Sequence, residues 1–418
     1  MNKNLLVLIA AVVLSACGGV SSSEKKCTKE KIVKEKPYKY ASMKDGVLHL
    51  DLNEARKHPR EVKLSDICDS LIYIPLETKK KCLLGRNINR VEIDGDDVFI
   101  HDGWKLFHFD ISGKFIGQLG KTGRGPGEYV CTEFCLDRDN KKVYVRACYK
   151  HRILEFDYQG NLKSDSIKAG GIINNMYYDS KNNCIVGSGD YCMSKISGDY
   201  NILRKIDVSS NSFNQVLPSK YFPKGFFDVK LNSKIESLYI SADICSYSGG
   251  IYFQELLNDT VYRYDNKKVL PHVILNNSAF RKELKSSVFM NNKLAYFTDP
   301  EYNYATLAGE TSRYMFFGAI PPLFIYDKEG KALSCLKSAK NDKNLIHNDI
   351  DKIFDFDDFF RRIKEEKYLY SMKRAYDFIE KVEESNGVDS KYSKRINEIK
   401  RGLKEESNPV LVLARLKK

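Results

Sequence analysis

Short runs in which apolar and polar residues alternate recur through the middle of the chain, and five of them end alike. They are Lys105-Leu-Phe-His-Phe-Asp110, Arg152-Ile-Leu-Glu-Phe-Asp157, Ile202-Leu-Arg-Lys-Ile-Asp207, Val261-Tyr-Arg-Tyr-Asp265 and Leu323-Phe-Ile-Tyr-Asp327. Alternation over so few residues predicts strands. The residue before each aspartate is apolar (Phe109, Phe156, Ile206, Tyr264, Tyr326), so that face belongs in a core. Each aspartate is suited to cap the next turn by accepting a backbone N–H, and Gly113, Gly160 and Gly330 are expected to supply a positive φ three residues on. A second apolar strand precedes each run: Val98-Phe-Ile100, Val143-Tyr-Val145, Cys184-Ile-Val186, Ile251-Tyr-Phe253 and Met315-Phe-Phe317. Two hairpins per repeat, with the aspartates 47, 50, 58 and 62 residues apart, predict the four-stranded blades of a β-propeller, with an insertion before Asp207.

Both ends of the chain add strands. Val47-Leu-His-Leu-Asp-Leu52 reads as a first strand and Leu71-Ile-Tyr-Ile-Pro-Leu76 as a second, with Pro75 at a strand end or edge because proline cannot donate to a ladder. The apolar run within 408–416 is expected to pair with N-terminal strands in a composite sixth blade, closing the ring and removing its sheet edges. Before it, Phe359, Ile363, Met372, Ala375, Phe378, Ile379 and Val382 recur at helical spacing, and Ile396, Ile399 and Leu403 suggest a second helix. The fold class is therefore all-β: a six-bladed β-propeller over 45–418, with a C-terminal helical insert at 355–404 before the ring-closing strand.

The first residues have a different texture. Lys3, the apolar run Leu5 to Val13 and Leu14-Ser-Ala-Cys17 have the shape of a signal peptide over 1–16, too short to span a bilayer as a folded helix. The cysteine directly after small residues is similar to a bacterial lipobox, which makes Cys17 the expected lipidation site; an ordinary secretory signal with a chance cysteine is the plainer alternative. Residues 17–44 are lysine-rich and aperiodic, as a lipidated flexible tether would be. The expected location is the bacterial outer membrane, held by lipid. Much of the net charge of +13 sits in this tether and between Arg361 and Lys404. Attraction to anionic lipids, lipopolysaccharide or acidic glycans is one use for it, a solvated surface the other, and a nucleic-acid partner does not suit a lipid-anchored envelope protein. The ten cysteines after Cys17 are scattered and fit small buried side chains, with one or two disulfides allowed for.

Several stretches in a fixed order carry a family likeness. They are Leu64-Ser-Asp-Ile67, Tyr73-Ile-Pro-Leu-Glu-Thr78, Leu84-Gly85, the glycine-rich Gly120-Lys-Thr-Gly-Arg-Gly-Pro-Gly-Glu-Tyr129, Asn258-Asp-Thr-Val-Tyr-Arg-Tyr-Asp265 and Asn408-Pro-Val-Leu-Val412. With them the chain resembles the six-bladed β-propeller lipoproteins of Gram-negative envelopes, which are related in architecture to NHL-repeat proteins. The resemblance implies the fold and an envelope location, and no activity.

Candidate chemistry is sparse. Gly120-Lys121-Thr122 looks like the end of a phosphate loop, but that motif needs glycine five residues earlier and position 115 is phenylalanine. The glycine-rich segment is then a tight connection between blades, or a rim element presenting Arg124, Glu128 and Tyr129. Trp104, the only tryptophan, lies between His101 and His108 and suits either sugar stacking or blade-edge packing. These four residues, Trp104, Arg124, Glu128 and Tyr129, are the candidate ligand contacts. No cofactor is expected and no catalytic residue stands out. The leading reading is a non-enzymatic binding or interaction scaffold, its ligand a glycan, a peptide or another envelope protein. The alternative is a metal-dependent propeller hydrolase or lyase with a divalent metal in the central channel, whose ligands would come from separate blades.

Overall fold

Six antiparallel sheets hold most of the regular structure of the computed structural model, which describes residues 39–86, 88–125, 127–147, 152–169, 173–189, 191–192, 201–218, 239–240, 243–254, 258–265, 268–276, 305–318, 323–337, 345–357, 367–385 and 391–418. Each of the first five contains one signature run as its third strand. The first blade is Ile88–Asp94, Asp97–Asp102, Lys105–Asp110 and Phe115–Gln118, and the second is Cys131–Asp137, Lys142–Ala147, Arg152–Asp157 and Leu162–Lys168. The third comprises Ile173–Asp179, Cys184–Gly189, Asn201–Asp207 and Ser212–Pro218, and the fourth Asp243–Tyr247, Gly250–Gln254, Thr260–Asp265 and Lys268–Asn276. The fifth is Leu307–Glu310, Tyr314–Phe317, Phe324–Asp327 and Ala332–Cys335. First strands of neighbouring blades touch one another from the second blade to the fifth, which places them innermost in a six-bladed propeller.

The sixth blade is composite. Val410–Leu416 pairs on one side with Tyr368–Lys373 and on the other with Cys68–Pro75, so the two ends of the propeller sequence are held in one sheet. Residues 410–414 of this strand read as an unbroken apolar run because both faces are covered there, and Arg415 is exposed. Val410, Val412, Ala414 and Leu416 pack toward the fifth blade, while Leu411 and Leu413 pack toward the first. The same logic holds around the ring, where each of six apolar clusters sits at the interface of two adjacent blades. Buried Asn408 secures the closure: its Nδ2 donates to the carbonyls of Glu77 (2.7 Å) and Cys82 (2.8 Å), and its Oδ1 accepts from Leu84 N–H (2.9 Å).

Three expectations are corrected. Within the expected helical insert, Tyr368–Lys373 is a strand, and among its described residues Ala375–Glu384 and Ser393–Gly402 are helices. Met372 fits a helical spacing by chance, while Tyr368 and Tyr370 alternate in a strand that finds its partner in Val410–Leu416; Phe359 and Ile363 lie outside the described residues. Val47–Asp51 does not enter the closing blade. It pairs in parallel with Lys268–Asn276, the outer strand of the fourth blade, with Leu48 opposite Val273 and Leu50 opposite Leu275. Ala41–Lys44 folds back on it, so the last residues of the expected tether belong to the body. The chain then passes along the fifth blade, where Arg60 N–H donates to Cys335 O and Lys337 N–H to Arg60 O, before entering Cys68–Pro75.

The third correction concerns a turn. Asp110, Asp157, Asp207 and Asp327 accept the expected backbone N–H groups, from Ser112, Asn161, Ser210 and Glu329 among others. Gly113 and Gly160 have φ of 91° and 85°. Gly330 does not take a positive φ; the reversal falls on Lys331, after Asp327 has already bound the N–H groups of both Glu329 and Gly330. Cys68, Cys82, Cys131, Cys135, Cys184, Cys245 and Cys335 are free and buried. Cys17, Cys27 and Cys148 lie outside the described residues, as does the side chain of Cys192.

Candidate functional site

Strand direction sorts the connections onto two faces. Turns between first and second strands, and between third and fourth, leave from one face; in the first three blades they are 95–96, 111–114, 138–141, 158–161, 180–183 and 208–211. The other face, called open below, receives the turns between second and third strands and the links between blades. Of these links, 119–130 is described but for position 126 and is far longer than a hairpin turn, and the strand ends Pro218 and Asp243, Asn276 and Leu307, and Cys335 and Tyr368 open and close further connections at that face. The helices after Tyr368–Lys373 join a first strand to a second, which assigns them to the tight-turn face.

Trp104 stands on the open face, in the two-residue turn between Asp97–Asp102 and Lys105–Asp110. Gly103 permits this turn with φ of 58°, and a Cβ there would meet nothing within 4 Å, so the turn projects into open space. Two hydrogen bonds fix its backbone: Asn89 Nδ2 donates to Gly103 O and Cys131 N–H to Trp104 O, both at 3.2 Å. The backbone of the turn is therefore held in place, and Trp104 is 57% exposed. Arg86, Lys105, Lys121 and Arg124 are exposed on segments joined to the strands of this turn by Gly85 N–H to Asp102 Oδ2 (2.6 Å) and Leu119 N–H to Leu106 O (2.9 Å).

The glycine-rich segment divides the four candidate contacts. Arg124 is exposed at its tip, but Glu128 turns inward, accepting Gly125 N–H at 2.8 Å. A Cβ on Gly123 would lie 2.1 Å from the Glu128 carboxylate, so that glycine lets the loop close around it. Tyr129 is buried against Phe156 and its hydroxyl donates to Leu119 O, which removes it from any surface contact. Trp104 and Arg124 are thus presented to solvent, while Glu128 and Tyr129 shape the loop that carries Arg124.

Sequence reading missed a buried ionic group at the innermost strands. Arg90 of the first blade donates to Phe134 O (2.7 Å) and Glu133 Oε2 (3.2 Å) of the second and to Met176 O (3.4 Å) of the third, and it pairs with Glu92. Its guanidinium lies over the Phe134 ring at 4.8 Å. Burial alone would push the Arg90 pKa down, but Glu92 and Glu133 outweigh it and hold the group above its ordinary value. Arg146 donates to Ile173 O and Asn174 Oδ1, tying the second blade to the third. Arg90, Glu92 and Glu133 thus offset one another's charge, while Arg146 bonds neutral groups, and together they tie three blades to one another. The hint in the sequence was two charges, Arg90 and Glu92, on either side of Val91 in a strand that also holds Ile88 and Ile93.

The histidines that flank Trp104 serve packing. His108 stacks on Phe99 and bonds Asp97 and Tyr158 O, both at 2.8 Å. His101 is buried edge-on to Phe134, and burial pushes its pKa down. Among the described residues no three His, Cys, Asp or Glu side chains gather as metal ligands. A cleft of about 570 Å³ lies between Glu77, Thr78, Arg395, Glu398 and Lys404, away from the Trp104 rim. No helix among the described residues is long and apolar enough to cross a membrane.

A family model described as a domain of unknown function, DUF4934, matches residues 47–415. None of the curated proteins matches the chain. Among solved structures, the chain is similar to a Bacteroides fragilis protein described as exported, at 16% identity and a TM-score of 0.60, over 86% of this chain and 98% of that one. It is more distantly similar to a DUF4221 member from Bacteroides vulgatus (10% identity, TM-score 0.40, 84% and 97% covered) and to a streptogramin B lyase (12%, 0.38, 66% and 75%). The last two likenesses are too remote to carry an argument, and the first concerns the fold.

Proposed function

We propose, starting from a chain that belongs to the DUF4934 family, a lipid-anchored β-propeller of the bacterial outer membrane, NHL-like in architecture, that acts as a binding or interaction scaffold through its open face. The observation that carries this reading is the sorting of connections. The first three blades turn tightly on one face, the long link 119–130 lies on the other, and there the chain's single tryptophan stands exposed on a fixed turn. Loops on a rigid frame are where propellers and other repeat scaffolds place recognition. Export is supported by the signal-like N-terminus and by the likeness to a protein described as exported. Lipid on Cys17 would be the anchor.

The test is positional. The photoreactive residue p-benzoylphenylalanine is placed in native cells at position 124 on the open face, or at position 139 in a tight turn. A reproducible adduct from 124 and none from 139 is expected. Equal capture from both positions, or from neither, would count against the open face as the binding surface. For the anchor, Cys17→Ser should move the protein out of the membrane fraction, and unchanged retention would exclude lipid on Cys17 as the attachment.

A further inference from the structure

Building on the open-face reading, we infer that the Trp104 rim of the first blade is a site for an anionic polysaccharide, with sugar rings stacked on the indole and their carboxylate or sulfate groups paired with Arg86, Lys105, Lys121 and Arg124. Three features converge. The platform is aromatic, exposed and immobilised at its backbone, so stacking on it costs little ordering. Positive side chains are exposed on the segments joined to its strands: Arg86, Lys105, Lys121 and Arg124. Asp102 and Glu128 keep their charge while accepting Gly85 N–H and Gly125 N–H, and Glu133 is bound to Arg90, so positive side chains outnumber negative ones on these segments.

The shape selects among anionic partners. An extended peptide is best held by an open strand edge or a groove, which supplies main-chain hydrogen bonds. The rim is built of a projecting turn and a closed loop instead, and the space beyond Gly103 is empty. A flat aromatic face with cations on the adjoining segments suits the apolar face of a pyranose with its acid group at the edge. Arginine adds bidentate pairing with carboxylate or sulfate, where lysine contributes a point charge.

Because Trp104 is the only tryptophan, its emission reports this rim alone. The ectodomain would be titrated with chondroitin sulfate oligosaccharides, neutral dextran of equal length, poly-L-glutamate and phosphatidylglycerol vesicles. The expected result is an emission shift with the sulfated glycan alone, weakened about tenfold or more between low salt and about 0.15 M, where the screening length is about 8 Å. Lys121→Glu and Arg86→Glu, both at exposed positions, should each weaken binding about fivefold or more without changing the melting temperature, and Trp104→Ala should abolish retention on a chondroitin sulfate column. Four results overturn the inference: an equal response to dextran, an equal response to polyglutamate (an acidic peptide), an equal response to vesicles (a lipid surface), or no response to any probe. An adduct from position 124 without a glycan response sinks this inference alone, whereas loss of both also removes the scaffold reading beneath it.

Discussion

Gly113 ends the third strand's turn in the first blade with φ of 91°, and a Cβ there would fall 2.1 Å from the carbonyl oxygen of Pro75. Backbone cannot retreat as a flexible side chain can, and Glu77 N–H bonds Gly113 O at the same junction, so Gly113→Ala strikes the contact between the first blade and the closing one. A loss of about 2 kcal/mol or more is expected in urea denaturation, from the left-handed backbone and the clash together. Gly330 holds the same place in the repeat but has no positive φ, and its nearest neighbour is the Asp327 carboxylate at 3.1 Å. Gly330→Ala should therefore cost no more than about 1 kcal/mol. Equal losses would mean the turns are equivalent after all. Arg90 presents the opposite case, a residue whose partners were invisible in the sequence because they lie on two other blades. Arg90→Met takes the cation from Glu133 and leaves Glu92, 3% exposed, with Arg138 alone at 3.4 Å, and should cost about 3 kcal/mol. A loss below about 1 kcal/mol would show that solvent reaches the group.

At the level of elements, the blades were legible because each repeat carries its own punctuation: an apolar residue before a turn aspartate, then a residue able to take a positive φ. What the pattern could not supply was the identity of partners. Tyr368–Lys373 passed for helix because Met372 lies three residues before Ala375, and only the facing strand Val410–Leu416 decides otherwise. Val47–Asp51 was recognisable as a strand, yet nothing local tells it to join the fourth blade in parallel. Trp104 and Arg124 are exposed, as a rim contact requires, whereas Tyr129 is buried and Glu128 folds inward, because glycine-rich sequence does not reveal which side chains its loop encloses. The two terminal strands also differ in weight. Val410–Leu416 buries six side chains, worth about 10 kcal/mol, a sum comparable to the whole stability of a domain. Val47–Asp51 buries Leu48 and Leu50, roughly 3–6 kcal/mol. An ectodomain lacking 408–418 should show no cooperative melting, whereas one starting at Leu52 should melt cooperatively at a lower temperature. If the first truncation melts like the intact ectodomain, the ring is not closed by that strand.

For the molecule as a whole, the open question is whether six similar blades unfold separately, as repeat arrays can, or as one body. A linear array contacts only neighbours and can fray from its ends. Here every blade packs on two others, and the ends are joined in one sheet, so no end exists from which to fray. The buried thiols can report the answer. Cys131 and Cys135 lie in the second blade, Cys184 in the third, Cys245 in the fourth, Cys335 in the fifth and Cys68 in the sixth. Burial pushes the Cys335 thiol up to about 11 and Cys184 to about 12, and Cys68 and Cys131 higher still. At pH near 8 these groups are protonated and enclosed in the native state, and an alkylating reagent should reach them only after unfolding. The ectodomain would be labelled with iodoacetamide in rising urea and its peptides resolved by mass spectrometry, which separates these cysteines from the rest. A single midpoint shared by Cys68, Cys131, Cys135, Cys184, Cys245 and Cys335 is expected from a closed ring. Midpoints staggered from blade to blade would mean that the interfaces, apolar as they are, couple their neighbours too weakly to make the propeller one cooperative unit.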